Sequence, residues 1–148
     1  MANDRDDEGS GVRMGFPHLV KWVEMAVRAR VERSMRGQPV SSSQLFALVL
    51  LDERGEATAA ELARLMHLTP QSLTTLLRPL RDQGLIEREP DEAHRKRLTM
   101  RLTAGGHAMI AQAREFTPVI EAAMLADLSA AERETLLRLL ARVVRPLD

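Results

Sequence analysis

Residues 69–85, TPQSLTTLLRPLRDQGL, constrain the fold more than any other stretch of the chain. Thr69 is a preferred N-cap type, and Pro70 follows at the first helical position, where its missing N–H costs nothing. Leu73, Leu76, Leu77 and Leu80 recur three or four residues apart and predict one buried stripe. That stripe leaves Gln71, Ser72, Thr74, Thr75 and Arg78 on the open side. These are short or planar donors and acceptors with no acid among them. Pro79 cannot donate to the carbonyl of Thr75, so a bend or a loosened last turn is expected there. Gly84 supplies a left-handed C-terminal cap.

The flanking residues turn this helix into a motif. Thr58 and Glu61 have capping-box spacing and open a helix through about Met66, with Leu62, Ala63 and Leu65 facing inward. His67 and Leu68 form the turn. Two short helices joined in this way make a helix-turn-helix. Beyond Gly84, residues 85–89 read as a strand, residues 90–94 as a turn-rich tip and residues 98–102 as the returning strand. A two-stranded hairpin alone is marginal, so it must lean on the helices before it. Arg95, Lys96 and Arg97 sit at its tip. A polar helix face beside a basic hairpin suits a DNA groove: small polar side chains read base edges and cations meet phosphates.

The rest of the chain reads as a frame. Residues 1–15 are polar and acidic, and a disordered arm is expected. Residues 16–36 form a long helix whose apolar positions, from Leu19 to Met35, cover more than one stripe. A small domain covers only one side of such a helix, which suggests a partner subunit. Gly37 and Pro39 end it. Ser41 and Gln44 form another capping box, followed by Leu45, Phe46, Leu48, Val49 and Leu51, all expected in the core; Gly55 closes that helix. Thr103 caps a long helix toward residue 126, with Gly105 and Gly106 in its first turns and a kink expected at Pro118. Ser129 and Glu132 form a third box, opening a last helix with an apolar face from Leu136 to Val144. The expected division is an arm at 1–15, an N-terminal dimerisation helix at 16–40, a winged helix-turn-helix at 41–103 and C-terminal dimerisation helices at 104–148.

Composition removes several function classes. At 148 residues, one compact domain with helical extensions is expected. No run approaches the ~20 apolar residues that span a bilayer. Asp4, Asp6, Asp7 and Glu8 carry the wrong charge for a signal peptide, so a cytoplasmic location is expected. The absence of cysteine excludes disulfides and thiolate chemistry. The formal net charge is zero, but residues 93–103 hold Arg95, Lys96, Arg97 and Arg101 with no acid. Arginine outnumbers lysine 19 to 2, which suits phosphate and guanine recognition but also follows from GC-rich coding.

The order of elements resembles the MarR family of bacterial transcription regulators over roughly residues 16–145. The most specific stretch is ELARLMHLTPQSLTTLLRPLRDQGLIERE at 61–89, followed by RLTAGG at 101–106. Gly84-Leu85-Ile86-x-Arg88 and Leu102-Thr103-x-x-Gly106 are the family's usual marks. The resemblance implies a mainly α fold with a small β-hairpin wing and a homodimer built on the terminal helices. Residues 70–82 would enter the major groove and the wing the flanking minor groove. It further implies a repressor released by a small aromatic or phenolic acid. One departure stands out: the family wing commonly carries Asp-x-Arg, and those positions are His94 and Lys96 here. Arg95, then Lys96 and Arg97, become the candidates for the groove.

The candidate DNA-binding residues are therefore Thr69, Gln71, Ser72, Thr74, Thr75, Arg78, Arg95, Lys96 and Arg97. The candidate ligand-binding residues are His18, Trp22 and Met25, which share one side of the first helix, and His67 in the turn; the competing reading places Trp22 and Met25 in a dimer core. No catalytic residue, cofactor or metal is expected, because no Gly-rich phosphate loop follows a strand and the four histidines lack ligand spacing. The alternatives are an enzyme assembled from scattered residues, a metal sensor of a related winged-helix family, and a winged helix used only for protein–protein docking. Salt-dependent DNA binding separates the last from the leading reading.

Overall fold

The computed structural model describes residues 15–90 and 98–144. Its order is α1 (Phe16–Ser34), α2 (Ser42–Arg54), β1 (Glu56–Thr58), α3 (Ala59–Leu65), α4 (Pro70–Asp82), β2 (Ile86–Pro90), β3 (Leu98–Leu102), α5 (Ala104–Met124) and α6 (Ala130–Val143). The three capping boxes form as expected. Ser41, Thr58 and Ser129 each accept from the backbone N–H three residues on, and Gln44, Glu61 and Glu132 return the bond. Each box satisfies two N–H groups that a helix start otherwise leaves unpaired.

One element lies outside the sequence reading. Glu56–Thr58 adds a third strand, so the sheet runs β1-β3-β2, antiparallel throughout. Ala57 pairs with Met100, and Met100 with Arg88. The wing thus has a base wider than a lone hairpin, and Thr58 both ends β1 and caps α3.

The core gathers around the helix-turn-helix. Leu48, Leu51, Leu62, Leu73, Leu80 and Met100 are fully enclosed. Leu45, Leu77, Ile86, Leu102, Met109 and Ile110 complete the cluster. Phe46 departs from expectation: it is 50% exposed. Leu45 and Leu48 take the inward stripe of α2, and Phe46, one position round from Leu45, faces a groove instead. Leu65 is only half-buried.

The proline expectations meet continuous helices. α4 runs through Pro79 to Asp82 and α5 through Pro118 to Met124. Near Pro79 the Gln44 amide donates to the carbonyl of Leu76 at 3.2 Å, tying α2 to the turn the proline weakens.

The end of α4 follows the glycine rule, and the end of α3 reaches the same geometry without a glycine. At the end of α4 the Gly84 N–H reaches Arg81 O and the Leu85 N–H reaches Leu80 O, both at 2.9 Å, with Gly84 at φ +69°. This is a Schellman motif. α3 ends the same way, through His67 N–H to Arg64 O and Leu68 N–H to Ala63 O, but the left-handed position is His67 at φ +51°.

The long terminal helices α1 and α6 bury no residue. Trp22 is 63% exposed, and Phe16, Leu19, Val23 and Met25 are similarly open on α1; Leu137, Leu139 and Val143 are open on α6. No helix among the described residues is long and apolar enough to cross a membrane.

Candidate nucleic-acid interface

The interface begins with the way α4 is held. Leu73, Leu77 and Leu80 anchor one face in the core. Thr69 caps the start: its Oγ1 accepts from Ser72 N at 3.1 Å and donates to Ser72 Oγ at 2.8 Å. Thr69 is exposed, but capping already uses both roles of its hydroxyl.

The opposite face presents Gln71, Thr74, Thr75 and Arg78, all exposed and spaced to form one stripe. The Thr74 hydroxyl donates to Pro70 O at 2.9 Å and the Thr75 hydroxyl to Gln71 O at 3.1 Å. Their donors are spent on the backbone, so each offers an acceptor oxygen and a methyl outward. Gln71 and Arg78 supply the donors. Such a set can address major-groove base edges, including the thymine methyl. Ser72 is set apart: it lines the groove behind α4, together with Leu76.

Wing charges are sorted by strand alternation. On one face of the sheet Arg101 meets Glu56 at 3.3 Å and Glu89 at 3.1 Å. Those ion pairs cross all three strands at the wing base. On the other face Arg88 lies beside α4, where Arg78, Arg81 and Arg88 surround a shallow dimple with Thr74 at its edge. The sequence reading omitted Arg81 and Arg88. The signal that could have found them is Arg88 alternating out of phase with Glu87 and Glu89, toward α4. Arg95, Lys96 and Arg97 fall outside the described residues.

Behind α4 lies a groove of about 710 Å³. Val27 and Val31 of α1, Phe46 and Val49 of α2, and Met66 and Leu68 of the turn make its apolar walls; Ser42, Ser43 and Ser72 add hydroxyls. Glu24 and Arg28 stand at its α1 side, paired at 2.7 Å. Hydrogen bonds from Lys21 and then Arg28 hold the Glu24 carboxyl below its ordinary 4.5. His18, Trp22, Met25 and His67 do not line this groove. All four are exposed, the first three on α1 and His67 in the turn. The described residues hold no cluster of three or more His, Cys, Asp or Glu able to bind a metal ion.

A helix-turn-helix with a polar, acid-free outer stripe and a three-stranded wing beside it defines a winged helix-turn-helix of the DNA-binding type. Comparison with known proteins agrees. The MarR family model matches residues 40–98. An HTH-type transcriptional repressor of Mycobacterium tuberculosis is 28% identical over 126 residues, 85% of this chain and 91% of the relative. Among solved structures, a probable transcriptional regulator from Pseudomonas aeruginosa superposes with a TM-score of 0.70 at 30% identity, covering 87% of this chain and 96% of that one. Two more distant structures share the fold. A mutant of E. coli MarR complexed with operator DNA gives a TM-score of 0.76 at 22% identity, covering 87% and 93%. Bordetella bronchiseptica BpsR, whose DNA binding is regulated by 6-hydroxynicotinic acid, gives 0.75 at 19%, covering 87% and 98%. The chain belongs to the MarR family of transcription regulators.

Proposed function

We propose that this chain is a transcriptional repressor that binds a pseudo-palindromic operator as a homodimer and leaves it when a small aromatic ligand binds. The observation that carries the DNA reading is the α4 stripe of Gln71, Thr74, Thr75 and Arg78, exposed and free of acids. The stripe would enter the major groove, and Arg95, Lys96 and Arg97 at the wing tip would enter the flanking minor groove. The repressor named among the relatives supports the direction of regulation.

The homodimer reading rests on α1 and α6. Many of their apolar side chains stand open within one subunit, among them Trp22, Val23 and Met25 on α1 and Leu137, Leu139 and Val143 on α6. A second copy buries them by the same symmetry that a palindromic site requires. Residues 16–40 and 104–148 then form the dimer frame around the module at 41–103. Trp22 and Met25 sit on the α1 face we assign to the partner subunit. The ligand reading rests on the groove, whose aromatic and aliphatic walls with a few hydroxyls fit a small ring. Its lining replaces His18, Trp22, Met25 and His67 as the set to test. Ser72 and Leu76 make one wall of it from α4 itself, so a bound ring presses on the helix that would read DNA. The protein would act in the cytoplasm, without a cofactor.

Footprinting on the DNA upstream of the chain's own coding region, with mass measurement of the complex, tests this. We expect two protein copies over a two-fold symmetric footprint with half-sites roughly 10 bp apart. A monomer bound to an asymmetric site would contradict it.

A further inference from the structure

We infer that Arg78, Arg81 and Arg88 together form a clamp for the DNA phosphate backbone at the seam between α4 and the wing. This rests on the DNA-binding reading above and adds residues to it. The three guanidinium-bearing side chains converge from two elements: Arg78 and Arg81 three residues apart on α4, and Arg88 from β2. Leu77, Ile86 and Met100 form the floor of the dimple, and long cationic side chains lay their stems along such apolar surface while the heads stay in water.

Among the described residues the cluster lacks acid partners, in contrast to three arginines elsewhere in the chain. Arg28, Arg101 and Arg114 each hold a carboxylate, on Glu24, on Glu56 and Glu89, and on Asp52. Among the described residues no carboxylate pairs with Arg78, Arg81 or Arg88, and all three are exposed. The sheet itself enforces this. Glu87 faces Arg101 across the strands, whereas Arg88 faces Met100 on the opposite side. Three like charges around one dimple repel unless an anion joins them. Guanidinium matches phosphate oxygens bidentately, so a run of phosphodiesters is the fitting anion. Arg78 also belongs to the outward stripe of α4, so a strand gripped here passes directly into the groove that the stripe would read. The clamp would fix the position of α4 on the duplex and carry no sequence preference.

The test is binding of the full-length protein to its upstream DNA and to an unrelated duplex, across a salt series. The variants are Arg81→Ala, Arg88→Ala and Arg88→Lys, each checked by thermal melting. We expect each alanine variant to weaken both duplexes by the same factor. The slope of log affinity against log salt should fall by roughly 1 per subunit for each neutralised phosphate lost. Arg88→Lys should restore the slope. An unchanged slope in Arg88→Ala overturns the clamp, as does a loss confined to the upstream DNA. Absence of wild-type binding to any duplex overturns this inference and the DNA reading together, whereas wild-type binding with unaffected variants overturns this one alone.

Discussion

The hydroxyl of Thr103 donates to the carbonyl oxygen of Gly84 at 2.5 Å while accepting from the backbone N–H of Gly106 at 3.2 Å. One side chain therefore caps α5 and also fastens the end of α4 to it. The Thr103 N–H reaches Leu85 O at 3.1 Å, which closes the same junction through the backbone. Helices α4 and α5 meet at this point. Thr103→Val keeps the shape and removes both hydroxyl bonds. The expected cost is about 1–2 kcal/mol of stability, as for other lost N-caps, read by denaturant unfolding.

The glycine pair beside it should respond unequally. A Cβ on Gly106 would overlap the Leu85 carbonyl, whereas one on Gly105 would meet Gly84 O at 3.4 Å, an ordinary contact. Gly106→Ala should therefore lose about 1–3 kcal/mol or more by forcing α5 off the β2 junction. Gly105→Ala should be neutral, or stabilising by up to about 1 kcal/mol through helix propensity. Equal effects in paired unfolding curves would contradict the close approach.

Neighbouring residues of α2 should also differ. Leu48 is fully enclosed and Phe46 is half open to the groove. Leu48→Ala is expected to cost about 2–5 kcal/mol as a core cavity. Phe46→Ala should cost clearly less than the ~3–5 kcal/mol of a buried phenylalanine. Its larger effect should be on binding of a small aromatic probe in the groove, followed by calorimetry.

Acid should loosen α6 through its cap. The Ser129 backbone N–H, then its hydroxyl, hold the Glu132 carboxyl below its ordinary 4.5. The unfolded chain keeps the ordinary value, so it binds more protons than the folded one in this range. The contribution of Glu132 is complete above the ordinary value and is lost as pH falls through the lowered one. Glu132→Gln does not titrate. The stability difference between wild type and this variant should therefore be largest near neutral pH and shrink steadily as pH drops below 4.5. A difference that is constant with pH would contradict the capping role.

The elements written in local code were legible in the sequence. The three capping boxes, Pro70 at the start of α4 and Gly84 at its end depend on residues within a few positions of each other, and all formed. The pair Gly105 and Gly106 was visible in the first turns of a helix, but only the structure separates Gly106, which faces the Leu85 carbonyl, from Gly105. What escaped depends on partners distant in sequence. β1 is three residues long and exists only because Ala57 and its neighbours pair with β3 some forty residues later. Phe46 looked like core because apolar residues surround it in sequence, yet only one stripe of α2 meets the core. Arg81 and Arg88 stayed hidden because their cluster is assembled across two elements. Of the candidate site, the α4 stripe was readable from spacing alone, while the groove had to be assembled from α1, α2, the turn and α4.

The most direct test is a mobility shift of the purified protein on its own upstream DNA, at two salt concentrations, with excess unrelated duplex as competitor. The account predicts a shifted complex that resists competitor, contains two protein copies and weakens steeply with salt, by roughly 0.9 log units per neutralised phosphate per decade. Absence of any shift at low salt would contradict the assignment of α4 and the wing as a DNA-reading surface.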